Sequence, residues 1–342
     1  MVTLLKESKN TNILVLYLII KVHSIKQKQD WLSRPMFALL DKCRSFQLSV
    51  SVQVNLFDKV ITPILLYGCE VWGYEKLDII EKLRLKYLKF VLNVKSSTPS
   101  CMVYGELGIH PLEIDVKTRT VKFWTKLVCD QNSKYSSLMY RVLYNLYSNI
   151  DERKQRQFHK QFKWFDYTKS ILDSCGLSYV WLHQLQGNVN TELSKHVQQM
   201  LKDQYVQHWN ITIFNSEKCV NYRIFKKDFT FEKYLDHLPA KYRIPLCKLR
   251  LSSHSLPIEK GRYINVNRAE RYCTLCDDNI VGDEYHFLLE CKMLTNQRKQ
   301  FIKRYYFTRP NIIKFEQLMS CDNTNVILAI AKFTKMCMVF YK

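Results

Sequence analysis

Glycine and proline are scarce in this sequence, which contains only 8 of each among 342 residues. Collagen-like and low-complexity chains need far more of both, so their shortage excludes these two classes. Hydrophobic residues make up 47% of the chain, which is enough to form buried cores at this length. We therefore expect a folded, mainly α protein with two or three subdomains.

Acidic residues are also in short supply. The chain has 31 Asp and Glu against 52 Lys and Arg, which gives a formal net charge of +21. A surplus of this size is atypical of a neutral metabolic enzyme and favours a polyanionic partner. Nucleic acid, as RNA, DNA or both, is the first expectation, and an anionic membrane surface is the second.

Long apolar runs are missing as well. The run Ile13–Ile20 is too short to span a bilayer. It could serve as a signal-peptide core, but no small-residue cleavage pattern follows it, so a buried strand is the preferred interpretation. The apolar stretch Val326–Tyr341 predicts a helix, and Lys332 and Lys335 interrupt it. We expect this helix to pack within the protein, and we predict no membrane partner.

Cysteine is not scarce, but its distribution argues against a small secreted disulfide scaffold. Seven of the 12 cysteines are scattered singly, at positions 43, 69, 101, 129, 175, 219 and 247. Together with one metal-type cluster, this distribution favours a reducing intracellular location, either nuclear or cytoplasmic.

That cluster lies in Arg268–Arg298, where Cys273, Cys276, His286 and Cys291 follow the spacing C-x2-C-x9-H-x4-C. Three thiolates and one imidazole are a ligand set of closed, tetrahedral structural zinc sites. Catalytic zinc keeps one position open for water, so we predict a single structural zinc ion. The alternative is a chance grouping of buried cysteines and a surface histidine.

The residues between and around these ligands predict a turn and a short helix. Asn279 and Gly282 are turn residues, as a compact loop around an ion requires. His286 and Cys291 lie five residues apart, so a short helix could direct both side chains inward.

Two basic segments are candidates for nucleic-acid contacts. On the amphipathic helix predicted for Leu77–Leu92, lysines form one stripe and apolar residues form another. The run Lys292–Arg309, beside the zinc segment, has six basic residues and no acid. An ordinary solvated face is the alternative for the lysine stripe. The predicted nucleic-acid contacts are Lys82, Lys86, Lys89, Arg268, Arg271, Arg298, Lys299, Lys303 and Arg304.

Residues 151–169 mix six basic residues with the aromatic residues Phe162, Trp164, Phe165 and Tyr167. Such rings could stack on bases while the cations neutralise the backbone, but a helix with a buried aromatic stripe fits equally well. Glu70 and Glu106 have no spacing that indicates an acid–base pair, so we interpret them as surface or capping residues.

Two regions of the chain resemble the C-terminal part of non-LTR (LINE-type) retrotransposon reverse transcriptases. LFDKVITPILLYGCEVWG (Leu56–Gly73), the basic helix after it and MVYGELGIHPL (Met102–Leu112) resemble the region after the polymerase palm. KLRLSSHSLPIEKGRY (Lys248–Tyr263) and RYCTLCDDNIVGDEYHFLLEC (Arg271–Cys291), with Arg298, resemble the zinc-binding segment. Both occur in the family's order, so the similarity spans residues 31–340.

The resemblance implies a helical thumb-like region that holds the template–primer duplex, followed by a zinc module that helps to bind target nucleic acid. It also implies that the cysteine and histidine cluster supplies the four zinc ligands. The segments implied are an unmatched leader (1–30), a helical thumb-like region (31–150), a basic and aromatic helical connector (151–245), a zinc-binding module with a basic flank (246–310) and a C-terminal helix (311–342).

The chain departs from the family because its catalytic residues are missing. The family's polymerase holds two divalent ions on palm carboxylates that include an aromatic-Ala-Asp-Asp turn, and two-metal phosphoryl transfer depends on such ligands. The only Asp-Asp pair here, Asp277–Asp278, lies inside the zinc loop, and no endonuclease constellation is recognisable. We therefore predict a non-catalytic fragment that binds nucleic acid. The alternatives are a non-functional transposon remnant and a mis-started gene model of a full RNA-directed DNA polymerase.

Overall fold

The computed structural model describes residues 36–75, 77–129, 135–149, 162–186, 189–190 and 192–341. These residues are mainly α-helical, as predicted. Within these ranges no β-strand forms, and the only β-type pairings are two isolated antiparallel bridges, Leu107–Phe231 and Tyr272–Val281. The predictions for residues 1–30, including the strand at Ile13–Ile20, and for residues 151–161 lie outside the described residues.

Most helices are short, and several are separated by single turns. Residues 36–45 are helical. The other helices are Val50–Leu56, Thr62–Leu65, Cys69–Trp72, Leu77–Leu92, Ser100–Leu107, Leu112–Cys129, Tyr135–Ser148, Lys163–Ser174, Ser178–Leu182, Leu193–Asn215, Tyr222–Phe225, Tyr234–His237, Ala240–Arg250, Pro257–Tyr263, Thr295–Phe301, Arg304–Phe307, Ile312–Met319 and Thr324–Cys337. Turns of 3-10 type lie at Gln184–Gln186, Glu217–Cys219, Arg268–Glu270, Lys292–Leu294 and Met338–Tyr341, and π turns lie at Phe57–Ile61 and His286–Glu290.

The predicted helix Leu77–Leu92 is confirmed with its predicted bounds and its buried apolar stripe. The sequence also favours one continuous helix over Phe225–Leu238, and this prediction is wrong. Instead, the one-turn helix Tyr222–Phe225 ends where this stretch begins, and a second one, Tyr234–His237, lies near its end, because Phe231 between them pairs with Leu107 in an antiparallel bridge. Backbone groups used in that bridge cannot also continue a helix.

The described residues form two compact units that are built from interleaved segments of the chain. The first unit draws on the described parts of Met1–Asp41, Phe57–Arg84 and His110–Tyr205, and the second draws on the described parts of Lys42–Leu56, Leu85–Ile109 and Val206–Lys342. The contiguous segments predicted from the sequence therefore do not correspond to these units, since the predicted thumb-like region (31–150) contributes to both.

The core of the first unit is rich in aromatic rings. Trp124 is fully buried, stacks on Trp181 with 5.8 Å between ring centroids, and donates a hydrogen bond to the Tyr140 hydroxyl at 2.8 Å. Phe165 stacks on Tyr140 at 5.5 Å. Because Phe165 and Phe162 are buried in this core, the buried-stripe interpretation is correct for them and the base-stacking interpretation is not.

A buried charge network lies in the core of the second unit. Glu106 is 0% exposed and accepts hydrogen bonds from Arg250 Nε at 2.6 Å, the Tyr234 hydroxyl at 2.7 Å and the Tyr222 hydroxyl at 3.1 Å. Arg250 also contacts Glu232 at 2.9 Å. The interpretation of Glu106 as a surface or capping residue is therefore wrong. A buried carboxylate needs compensation of this kind, because desolvation of an unpaired charge is very costly.

The helix Thr324–Cys337 packs one face into the second unit. Phe333 and Cys337 are fully buried, and the Phe333 ring lies 5.3 Å from that of Phe287. By length and composition alone the window Thr324–Tyr341, with a mean hydropathy of 1.3, would be apolar enough to cross a membrane. A buried face of this kind is typical of a core helix, which is the packing predicted from the sequence.

Candidate metal centre and nucleic-acid interface

Cys273, Cys276, His286 and Cys291 converge in the second unit, with their ligand atoms all within 4.8 Å of one another. Cys273 Sγ is 4.0 Å from Cys291 Sγ, and Cys276 Sγ is 3.4 Å from His286 Nε2. Tetrahedral zinc, with Zn–S bonds of about 2.3 Å and Zn–N bonds of about 2.0 Å, places such atoms about 3.8 Å and about 3.5 Å apart. The four predicted residues could therefore hold one metal ion.

The first two ligands lie in a small hairpin that is closed by a single bridge. The Cys273 N–H donates to the Ile280 carbonyl at 2.8 Å. Asn279 has a φ of +50°, a left-handed conformation that Asn tolerates better than most residues, so the predicted turn is confirmed there. At Gly282 the requirement is space, because a Cβ would lie 3.0 Å from the Cα of Cys273.

A π-helical turn positions the other two ligands. The Cys291 N–H donates to the His286 carbonyl, five residues earlier, at 2.8 Å. In an α-helix, residues five apart diverge by about 140° around the axis, whereas the wider π turn brings them to the same face. The Asp283 carboxylate begins this turn by accepting the His286 N–H at 2.9 Å.

The three thiols differ in how readily they ionise. Burial disfavours the Cys273 thiolate, but hydrogen bonds from the Tyr341 hydroxyl and the Leu275 N–H outweigh burial and lower the pKa of Cys273. Burial and the neighbouring sulfur of Cys273 raise the pKa of Cys276 to about 12 and also raise the pKa of Cys291. A dication among these sulfurs would stabilise all three thiolates.

The surroundings of both ring nitrogens of His286 suit a metal ligand: one nitrogen faces the other ligands, and the other faces a carboxylate. Burial lowers the pKa of His286 and so favours the neutral ring, and Nε2 lies 3.4 Å from Cys276 Sγ. The buried Nδ1 lacks a hydrogen-bond partner of normal length and lies 3.5 Å from Glu290 Oε2. A carboxylate behind the second nitrogen is the arrangement that orients metal-binding histidines.

Arg298 supports this centre from inside the protein. It is 2% exposed, and it donates from Nε to the Leu288 carbonyl at 2.7 Å and from Nη2 to the Cys291 carbonyl at 2.9 Å. The prediction that Arg298 contacts nucleic acid is therefore wrong. Its donors fix the backbone that carries one of the four ligands.

Six cationic side chains gather around the helix Pro257–Tyr263, also in the second unit. We call them the basic surface: Lys89, Lys95, Lys218, Arg262, Arg268 and Arg271. Lys95 is exposed and the others are partly buried, with the side chain of Lys218 only 9% exposed. Lys95 Nζ lies 5.5 Å from the centre of the Tyr263 ring, and Tyr263 as a residue is 58% exposed. The Tyr263 hydroxyl is 2.9 Å from Ser97 Oγ, and Lys218 Nζ is 3.4 Å from the Ser97 carbonyl.

Like charges within the basic surface lie close enough to affect one another. Burial lowers the pKa of Lys89, and the charge of Lys218 lowers it further. Burial and the charges of Arg262 and Arg268 lower the pKa of Arg271. A polyanion bound here would relieve this repulsion.

The acids in the same segments compensate only part of this charge. The buried carboxylate of Glu259 contacts Lys218 at 3.2 Å and Arg262 at 3.3 Å. Glu217 and Glu270 are exposed. The six cations therefore outnumber these three acids, and the surface keeps a positive surplus.

Three of the predicted nucleic-acid contacts, Lys89, Arg268 and Arg271, belong to the basic surface. Arg271 also serves the fold, because it donates to the carbonyls of Val266 and Ile258, both at 3.0 Å. The remaining predicted contacts, other than Arg298, are exposed on helices or beside them: Lys82, Lys86, Lys299, Lys303 and Arg304.

Sequence reasoning missed Lys95, Lys218, Arg262 and Tyr263. Arg262 and Tyr263 end the segment Lys248–Tyr263, which resembles part of the retrotransposon zinc-binding segment. That resemblance was the one sequence signal that could have identified these two residues as candidate contacts. Lys95 and Lys218 are distant in sequence, so only the folded chain brings them to this helix.

Comparisons with family models, with curated proteins and with solved structures found no match to this chain. The resemblance to retrotransposon reverse transcriptases therefore stays a prediction.

Proposed function

We propose that this chain is a nucleic-acid-binding protein whose second unit is held together by one structural zinc ion. We further propose that it is a non-catalytic fragment derived from the C-terminal part of a non-LTR retrotransposon reverse transcriptase. The observation that carries the binding proposal is the basic surface. Three thiols, one imidazole and the carboxylate of Glu290 behind His286 support zinc as the ion, because these are zinc's usual ligands and outer partner.

The chemistry of the basic surface fits a sugar–phosphate backbone. Cations spread over several segments can neutralise successive phosphates, and such contacts supply most of the sequence-independent affinity for nucleic acids. The half-exposed Tyr263 adds a ring on which an unpaired base can stack. A single small anion would use only part of this surface.

Binding by the purified, zinc-loaded protein should weaken steeply as salt rises. Each phosphate neutralised contributes about −0.9 to the slope of log K against log salt on duplex DNA, and about −0.7 on single strands. Fluorescence anisotropy with labelled RNA and DNA measures both slopes and the preference between them. Absence of binding at low salt would contradict the proposal and favour the non-functional remnant.

The double variant Lys95→Ala/Arg268→Ala tests whether the basic surface is the binding site. Losing two phosphate contacts should make the slope on duplex DNA shallower by about 1.8. The control Lys227→Ala/Lys233→Ala removes the same charge from two exposed lysines paired with acids elsewhere in the second unit. Equal losses in both double variants would show that overall charge, and not this surface, drives binding.

The chain alone should not extend a primer. Asp278, the second residue of the Asp277–Asp278 pair, forms an ion pair with Lys292 at 2.8 Å. The metal ligands beside this pair are the thiols of Cys273 and Cys276, whereas two-metal polymerases use carboxylates. The assay uses template, primer, deoxynucleotides and Mg²⁺, with an active reverse transcriptase as the positive control. Robust extension by this chain would overturn the non-catalytic proposal and favour a full RNA-directed DNA polymerase.

A further inference from the structure

Two cysteines that are distant in sequence meet in the second unit. Cys101 Sγ and Cys219 Sγ lie 3.9 Å apart, although the two residues are separated by 118 positions in sequence. Cys101 is in the first turn of the helix Ser100–Leu107, and Cys219 ends the 3-10 turn Glu217–Cys219. Neither belongs to the metal centre.

We propose that Cys101 and Cys219 are a modification site, at which a peroxide oxidises the two thiols to a reversible disulfide. A disulfide S–S bond is about 2.05 Å long, so the two sulfurs must approach by roughly 1.9 Å. Both residues lie at the ends of short helical elements, where a small adjustment of side chain and backbone disturbs few hydrogen bonds.

The surroundings of the two sulfurs differ, so that one thiol ionises more readily than the other. A hydrogen bond with Cys101 lowers the pKa of Cys219, and Ser216 and the charges of Lys218 and Arg262 lower it further, against the effect of burial. The same hydrogen bond, together with burial, raises the pKa of Cys101. Cys219 therefore supplies the thiolate, which is the form that reacts with oxidants, and Cys101 keeps its proton.

The reaction balances with one peroxide molecule. The Cys219 thiolate attacks one peroxide oxygen, the O–O bond breaks, and the other oxygen takes a proton and leaves as water. The Cys101 sulfur then displaces the hydroxyl of the Cys219 sulfenic acid, its thiol proton leaves with that hydroxyl as a second water, and the S–S bond forms. The two sulfurs lose two electrons, which the peroxide gains. Cys219 itself is 0% exposed, so a peroxide must reach its sulfur past the partly exposed Cys101.

The disulfide would join two segments that carry parts of the basic surface. Lys95 and Ser97 lie shortly before Cys101, and Lys218 directly precedes Cys219. Oxidation therefore fixes the separation of these two segments, whereas reduction frees it.

Peptide mapping of the zinc-loaded, full-length protein tests the proposal. After treatment with hydrogen peroxide, alkylation and non-reducing trypsin digestion, we expect the peptide Ser96–Lys117 linked to Cys219–Arg223. The link should vanish with dithiothreitol. Alkylation of both cysteines should fall by about tenfold on oxidation. Unchanged alkylation of either cysteine, or linkage of either one to a metal-centre cysteine instead, would overturn the proposal.

Variants provide the matched control. Cys101→Ser should abolish the linked peptide, and so should Cys219→Ser. Cys321→Ser, which alters another partly exposed cysteine of the second unit, should leave the linked peptide at its wild-type level. The mapping of the wild-type protein does not depend on these variants, so a folding defect in Cys219→Ser leaves the proposal testable.

Discussion

Chelation of zinc should unfold the segment 272–291 and lower the unfolding temperature of the second unit. Structural zinc contributes about 10–16 kcal/mol to the folding of isolated finger peptides at neutral pH. Without the ion, the hairpin that carries Cys273 and Cys276 is closed by a single bridge, and two-stranded hairpins of this kind are marginal in water. Hydrogen exchange of residues 272–291 and thermal unfolding, with and without chelator, measure the effect.

The variant Cys276→Ser separates loss of the ion from loss of packing. Cys276 is only partly buried, so exchange of sulfur for oxygen removes a ligand while it changes little volume. We expect metal analysis to find one zinc per chain in the wild-type protein and in Cys321→Ser, but loss of zinc in Cys276→Ser. If wild-type protein prepared without chelator contains no metal, the ligand assignment is wrong.

Glu106→Ala should destabilise the second unit by about 3–5 kcal/mol, the usual cost of removing one partner of a buried ion pair. Burial disfavours the Arg250 cation, but Glu106 and Glu232 raise its pKa. In the variant Arg250 remains charged, still buried, and only partly paired. The hydroxyls of Tyr222 and Tyr234 lose their shared acceptor as well. Urea unfolding, followed by circular dichroism, measures the free energy.

Glu113→Ala is the matched control for this prediction. Glu113 also pairs with a cation at 2.6 Å, but its side chain is 48% exposed. Exposed pairs on one helix contribute about 0.3–0.5 kcal/mol, so this variant should unfold almost as the wild-type protein does. Similar small effects at Glu106 and Glu113 would show that the buried network is not a major source of stability.

Features set by neighbouring residues could be predicted from the sequence. The helix Leu77–Leu92 follows from the spacing of its apolar residues, since a period near 3.6 positions them on one face. The ligands Cys273, Cys276, His286 and Cys291 follow from residue type and spacing, because all four lie within one short segment. Their convergence in the structure confirms that this group could hold a metal ion.

Features set by long-range packing could not be predicted. Arg298 and Lys299 are adjacent and have the same charge, yet the first is buried against a ligand's backbone and the second is exposed. Glu106 acquires its role from Arg250, 144 residues later. The thiols of Cys101 and Cys219 meet for the same kind of reason. The residues next to a side chain in sequence do not indicate whether a distant segment of the chain will bury it.

The second unit is built from segments that are distant in sequence, so the metal centre cannot be transferred to another protein as one short segment. A graft of residues 246–310 into another protein would transfer all four ligands. It would leave behind Tyr341, whose hydroxyl lies 3.3 Å from the Cys273 sulfur, and Glu106, which neutralises Arg250. In the recipient protein, the guanidinium of Arg250 would lack its buried carboxylate partner, and the metal ion would be held less tightly. A faithful transplant would have to include the stretches 42–56 and 85–109 together with everything from residue 206 onward.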